Sequence, residues 1–61
     1  MKGWIKISRH GTNTLVLINL DDIRCVFDNG QGSTLACKDG SQYYAVESYE
    51  QIRFKIEVAT E

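Results

Sequence analysis

The sequence is poor in the residues that cross-link very small proteins. Its 61 residues include two cysteines and one histidine, too few for a four-ligand zinc site or a disulfide framework. A chain of this length buries only about 60% of the surface that its unfolded state exposes. Association with a partner is then the main remaining source of stability. We therefore predict no cofactor and expect a homo-oligomer, most simply a symmetric dimer.

The sequence also lacks an excess of charge of one sign and any long apolar segment. Seven basic and eight acidic side chains give a formal net charge of −1, which disfavours nucleic acid as a partner because phosphate binding needs a basic surface. No apolar run approaches the roughly 18 residues of a membrane-spanning helix. Charged residues interrupt the N-terminal segment before an apolar signal sequence can form. These features predict a cytoplasmic protein with reduced thiols and no membrane insertion.

What is present is the alternation of apolar and polar residues that is typical of β-strands. Residues 4–8 predict a first strand and residues 14–18 a second, joined by the turn-forming residues 9–13. A four-residue loop pairs Ile7 with Val16 on one face. The opposite face would then carry Trp4, Leu15 and Leu17.

The rest of the chain predicts three further strands and one helix. The expected elements are a helical turn at residues 19–22, strands at 23–28, 33–38 and 41–46, and a helix that begins at Tyr49. Asp39-Gly40 is typical of a two-residue type I′ turn, and Ser48 followed by Gln51 is a capping-box pattern. The sequence thus predicts an α+β fold in one domain over residues 1–61. A small twisted antiparallel sheet of about five strands, a half-barrel-like meander, would pack against one C-terminal helix.

The pairing of these strands decides which side chains face the core. The Gly-rich loop is expected to pair Phe27 with Leu35 and Cys25 with Cys37, and the Asp-Gly turn to pair Leu35 with Tyr44. The predicted core is Ile5, Ile7, Val16, Ile18, Ile23, Cys25, Phe27, Leu35, Cys37, Tyr44, Val46, Ile52 and Ile56. More apolar residues remain outside it than a small domain normally exposes. We predict that these form an interface with a partner or a second copy, with Trp4, Leu15, Leu17, Val26, Tyr43, Phe54 and Val58 as its residues.

Two features of the predicted interface stay open. Residues 54–58 also alternate as a strand would, so a sixth strand across an interface is an alternative to the helix. Cys25 and Cys37 are expected to face each other as packed thiols, with a cross-strand disulfide as the alternative.

No residue set in the sequence has the pattern of a catalytic or metal site. His10 lies in a polar turn, and no serine or cysteine is placed beside it as a nucleophile. The aspartates are separated and are explained by caps and turns, which leaves no calcium loop and no carboxylate pair. Gly30 and Gly32 do not open a helix after a parallel strand, as a phosphate loop requires. We therefore predict that the protein is not an enzyme and has no catalytic residue.

Six short segments carry a resemblance that covers nearly the whole chain. They are Ile5-Lys6-Ile7-Ser8-Arg9, Ile18-Asn19, Asp22-Ile23, Thr34-Leu35, Asp39-Gly40 and Val46-Glu47-Ser48. Together they resemble the small flagellar FlbD and swarming-motility protein family, and short bacterial and phage proteins with the same pattern. The resemblance implies a cytoplasmic accessory protein without catalytic activity.

A second resemblance covers the chain from Asp22 to Ile56. The matching residues are Asp22-Ile23, Val26, Thr34, Asp39-Gly40, Tyr44, Val46 and Ser48, followed by the amphipathic helix. They are similar to the first half of the LytTR DNA-binding domain of response regulators. This resemblance implies an alternative function in nucleic-acid binding. The residues that would serve it are Lys6, Arg9, Arg24 and Lys38, of which the last two are expected to be cross-strand neighbours.

The leading hypothesis from the sequence is a non-catalytic accessory module of a bacterium or phage that binds protein or assembles with itself. Its motivation is the surplus of patterned apolar residues on a very short chain. A small nucleic-acid-binding regulatory module is the first alternative. A phage-encoded inhibitor of a host protein is the second, and no residue distinguishes it from the leading hypothesis.

Overall fold

The computed structural model describes residues 3–60 and contains five strands and one α-helix. The elements are β1 (Trp4–Ser8), β2 (Leu15–Asn19), a 3₁₀ turn (Leu20–Asp22), β3 (Ile23–Asp28), β4 (Ser33–Cys37), β5 (Gln42–Ala45) and α1 (Tyr49–Ala59). The predicted α+β fold, an antiparallel sheet structure with one C-terminal helix, is confirmed. Residues 54–58 are part of the helix, so the alternative of a sixth strand is wrong.

The strands form two antiparallel sheets that one backbone bridge connects. β1 pairs with β2, and β3, β4 and β5 form a second sheet in that order. Arg9 bridges to Ala45 in antiparallel orientation, and the Val46 N–H donates to the Ser8 carbonyl at 2.9 Å. This joint, formed by residues 8–9 and 45–46, places β5 beside β1. The result is one curved surface in the order β2-β1-β5-β4-β3, which no ladder between β2 and β3 closes in the described residues.

The N-terminal hairpin has the register that the sequence predicts. Ile7 lies opposite Val16 and Ile5 opposite Ile18. The Arg9 N–H donates to the Thr14 carbonyl at 2.9 Å across the four-residue loop. The inner side chains of this hairpin are buried, and its opposite face exposes Trp4, Leu15 and Leu17.

The predicted pairing of β3 with β4 is wrong by one residue. Val26, rather than Phe27, lies opposite Leu35. Asp28 lies opposite Ser33, so the connection has four residues, and at its start the Asp28 carboxylate accepts the Gly30 N–H at 2.7 Å. A shift of one residue reverses the faces of a strand. Val26 is therefore half-buried against the core instead of lying in an interface, and Phe27 is exposed.

The turn between β4 and β5 contains three residues instead of the predicted two. A type I′ turn needs positive φ at both Asp39 and Gly40, but only Gly40 has it, at 94°. The Gly40 N–H donates to the Cys37 carbonyl at 3.1 Å, and the Cys37 N–H donates to the Ser41 carbonyl at 2.8 Å. This is a type I turn followed by a bulge at glycine, and it shifts β5 by one residue relative to β4.

The shift of β5 exchanges the positions of its two tyrosines. Tyr43, rather than Tyr44, lies opposite Leu35 and is half-buried against the core. Tyr44 and Val46, both predicted as core residues, are exposed. The prediction that Tyr43 is an outward interface residue is therefore wrong, and Tyr44 takes that position.

Helix α1 is fixed at its start by reciprocal hydrogen bonds and along its length by one buried side chain. The Gln51 N–H donates to the Ser48 hydroxyl at 3.2 Å, and the Ser48 N–H donates to the Gln51 side-chain oxygen at 2.8 Å, which confirms the capping box. Ile52 is fully buried, whereas Phe54 and Val58 point away from the sheet as predicted. In residues 3–60, no helix has the length and apolar character needed to cross a membrane.

The core lies between the inner faces of the two sheets and α1. It consists of Ile5, Ile7, Ile18, Leu35, Ala45, Ile52 and Ala59. Two polar residues of β4 are also buried, and both are hydrogen-bonded. The Ser33 hydroxyl donates to the Glu47 carbonyl at 2.9 Å, and the Thr34 hydroxyl accepts from the Asn29 amide at 2.9 Å. These bonds remove the cost of burying the two hydroxyls.

Candidate binding surfaces

The side of the sheets opposite α1 carries a row of exposed apolar side chains. Thr34 in the middle strand has Phe27 on one side and Tyr44 on the other. Val46 follows on the same side as Tyr44, and the joint brings it next to Ser8 of β1. We call this surface the outer face and define it by Trp4, Leu15, Leu17, Phe27, Tyr44 and Val46. Each of these side chains is between 38% and 62% exposed.

The sequence found only part of this outer face. Trp4, Leu15 and Leu17 were predicted to be there, and the structure exposes all three. Phe27 and Tyr44 were missed because both strands were placed one residue out of register. Phe54 and Val58 of the predicted interface are exposed too, but they belong to α1 and form a separate surface.

A groove with a volume of about 420 Å³ opens beside the outer face, where β2 and the β4–β5 turn diverge. Trp4, Leu17 and Tyr43 supply its apolar walls. These three residues were assigned to an interface from the sequence, and the structure brings them together. Charged residues at the rim are Asp22, Lys38 and Asp39.

The rim of the groove carries negative charge. Hydrogen bonds from the Ser41 hydroxyl and from the Ser41 N–H, the latter at 2.9 Å, lower the pKa of Asp39 and keep its carboxylate charged. Cys37 lies below, only 8% exposed. Burial raises the pKa of the Cys37 thiol, and the negative charges of Asp39 and Asp22 raise it further. A hydrogen bond with the Ser41 side chain lowers the pKa in part. Both carboxylates therefore lie near the buried thiol of Cys37.

The two cysteines differ in accessibility, which gives a testable prediction. Cys25 is exposed opposite Ala36, and Cys37 is buried opposite Ile23, so the expected pairing of the two cysteines is wrong. We expect iodoacetamide to modify Cys25 in the folded protein well before Cys37, because the Cys37 thiol is both buried and harder to ionise. Peptide mass mapping over a time course measures the two rates. Equal rates in the native state, with equal rates in urea as the control, would contradict the buried position of Cys37.

The four cations of the nucleic-acid alternative lie on different elements. They are Lys6 on β1, Arg9 at the joint, Arg24 on β3 and Lys38 after β4. The expected cross-strand pair of Arg24 and Lys38 is wrong, because the ladder shifts between Ile23 and Cys25. The Lys38 N–H instead donates to the Asp22 carbonyl at 2.8 Å, which places an acidic residue beside it.

His10 takes part in the joint between the sheets through its backbone. The His10 N–H donates to the Tyr44 carbonyl at 2.7 Å at the joint. In the part of the chain that the structure describes, no group of three or more His, Cys, Asp or Glu residues is placed to hold a metal ion. Comparison with known proteins found no matching family model, curated protein or solved structure. The outer face and the groove are therefore the features on which a function can be argued.

Proposed function

We propose that the protein is a non-catalytic module that binds protein through its outer face, and that its first partner is a second copy of itself. The observation that carries this proposal is the row of six large apolar side chains on one uncovered side of the sheets. Single exposed apolar residues are normal on any protein. A row that spans both sheets indicates a surface that another chain covers.

The outer face has the extent that an interface needs. With about half of each side chain exposed and roughly 200 Å² for a large apolar side chain, the six residues expose on the order of 600 Å². The largest apolar patch on a monomeric protein is typically about 300–600 Å², and a standard interface buries about 800 Å² on each partner. The exposed apolar area of the outer face is therefore at the upper limit for a monomeric protein. The residues around the outer face would supply the rest of the area of a standard interface.

A second copy suits this face because its centre carries no charge. Phe27, Thr34, Tyr44 and Val46 are neighbours on the outer side, and the nearest charged outer position in the N-terminal hairpin is Lys6. An uncharged apolar surface is complementary to itself. Two-fold packing of one such face on another is the commonest form of small oligomer, and two sheets pack in this way about 10 Å apart.

The decisive experiment measures mass and stability over a dilution series. We expect light scattering to give a dimer at high concentration and the thermal unfolding midpoint to rise with protomer concentration, because the dimer stabilises the folded state by mass action. Tyr44→Asp places a charge in the centre of the outer face. It is expected to weaken the dimer about 30-fold or more, the effect of losing an interface hot spot.

Phe54→Asp is the matched control. It introduces the same charge at an apolar side chain that is 65% exposed on α1, away from the outer face. The dimer of this variant should have the wild-type affinity. A monomer at every concentration, or dissociation by Phe54→Asp with no effect of Tyr44→Asp, would refute the outer face as the self-interface.

A further inference from the structure

We propose that the groove beside the outer face binds the guanidinium group of an arginine in a basic segment of a partner protein. This site shares Trp4 and Leu17 with the outer face but differs from it in charge: its carboxylates belong to the 3₁₀ turn and to the β4–β5 turn, whereas the six residues that define the outer face are uncharged. The argument rests on the walls of the groove, on its charge and on its size.

The walls of the groove offer aromatic surface to a flat cation. Trp4, 38% exposed, and the half-buried Tyr43 both line it, and Leu17 extends the apolar wall. A guanidinium group stacks on indole and phenol rings, and its aliphatic stem packs on apolar side chains. With about 420 Å³, the groove lies within the usual range of about 300–1,000 Å³ for sites that bind small groups.

The charge of the groove selects a cation. Asp22, Asp39 and Lys38 are the charged residues that line the groove, so carboxylates are in excess. Within residues 3–60, the ion pairs closer than 4.0 Å are those of Arg53 with Glu50 and Glu57, so neither groove carboxylate is held in an ion pair. Asp39 Oδ1 accepts from Ser41, which leaves the other oxygen of Asp39 for a ligand. Burial is the main cause of the raised pKa of the Cys37 thiol, and the charges of Asp39 and then Asp22 raise it further, because both carboxylates lie near this groove residue. Two acceptors beside aromatic walls match the planar donor fork of arginine better than the compact ammonium of lysine.

Trp4 is the one tryptophan of the chain, so its fluorescence reports directly on the groove. The probe is the blocked tripeptide Gly-Arg-Gly, and its control is the same peptide with citrulline, which has nearly the shape of arginine without the charge. We expect the arginine peptide to change the Trp4 emission saturably at millimolar concentration and the citrulline peptide to leave it unchanged. Raising the ionic strength from low to moderate should weaken binding, since the carboxylates are partly exposed.

Variants assign the effect to the two carboxylates. Asp22→Asn and Asp39→Asn should each weaken binding by about threefold and together by about tenfold, as expected for exposed charge pairs. Asparagine at position 39 keeps an oxygen that accepts from Ser41, so the turn is retained. Asp21→Asn is the control, because it removes the same charge from the same 3₁₀ turn without lining the groove.

Two results would overturn the proposal. One is equal binding of the arginine and citrulline peptides. The other is unchanged affinity in the double variant while its circular dichroism and thermal unfolding match the wild type. The Tyr44→Asp variant is titrated in parallel and should bind the arginine peptide at least as tightly as the wild type does, because no second copy then covers Trp4 and Leu17. The peptide titration therefore tests the arginine site, and the dilution series separately tests the self-interface.

Discussion

Gly32→Ala is expected to lower the free energy of unfolding by about 2–6 kcal/mol. Gly32 has a φ of 149°, which side chains rarely adopt, and a Cβ atom there would lie 2.2 Å from the Ala45 carbonyl oxygen and 3.1 Å from that of Val46. Both oxygens belong to backbone at the joint between the sheets, so relief would require the joint to move. Backbone strain costs about 1–3 kcal/mol and overpacking about 1–3 kcal/mol more.

The free energy of unfolding of the whole protein is of the same magnitude as the cost of this substitution. At about 0.05–0.15 kcal/mol per residue, a chain of this length has a free energy of unfolding of roughly 3–9 kcal/mol. Gly30→Ala is the matched control in the same loop, because φ is also positive, at 87°, but no atom lies within 4 Å of the new Cβ. We expect it to cost about 1–2 kcal/mol. Urea unfolding at one fixed protein concentration compares them, and equal losses would contradict the close approach at Gly32.

Ile52→Ala is expected to detach α1 from the sheets. Ile52 is fully buried in the core, and its truncation should lower the free energy of unfolding by about 2–5 kcal/mol through lost burial and a cavity. The helix has only eleven residues, and a helix of this length is marginal without packing. Its signal in circular dichroism should therefore fall at temperatures where the wild type is folded.

Phe54→Ala is the control for this second experiment. Phe54 is larger than Ile52 but 65% exposed on the same helix, so its truncation should change stability by no more than about 0.5 kcal/mol. Both changes place alanine, the best helix former, within α1, so helix propensity cannot explain a difference. A loss for Phe54→Ala that equals the loss for Ile52→Ala would show that α1 does not pack on the sheets through Ile52.

Local signals in the sequence were sufficient to predict the helix and strands and the register of the N-terminal hairpin. The capping box at Ser48 and Gln51 located the start of α1 because it depends on residues three positions apart. The N-terminal hairpin was paired correctly because its four-residue loop, residues 10–13, sets Ile7 opposite Val16 and Ile5 opposite Ile18.

The registers of β3 and β5 could not be obtained in the same way. Val26 and Phe27 are neighbours of similar character, and so are Tyr43 and Tyr44, so each strand fits the core after a shift of one residue. The register of each strand is then set by the loop that connects it to β4. Asp39-Gly40 suits both a two-residue turn and a three-residue turn with a bulge, and the backbone dihedral angles that distinguish the two are not visible in the sequence.

The sequence predicted the apolar residues of the groove but not its acidic residues. Trp4, Leu17 and Tyr43 stood out as surplus apolar residues, whereas Asp22 and Asp39 were explained fully by their turns. The apolar and acidic residues come together in the groove only because of how far the two sheets diverge. That divergence follows from the twist of the sheets and from the single bridge between them, which no local pattern records.

The joint between the sheets also has a consequence for the order of folding. Each hairpin closes over a short connection, but the joint brings together distant positions: the Ser8 N–H donates to the Glu47 carboxylate at 3.0 Å and 3.1 Å across 39 positions. The entropy lost on chain closure grows with the length of the segment that is closed. Formation of the joint is therefore the long-range step in folding, and we expect the two hairpin turns to close before it.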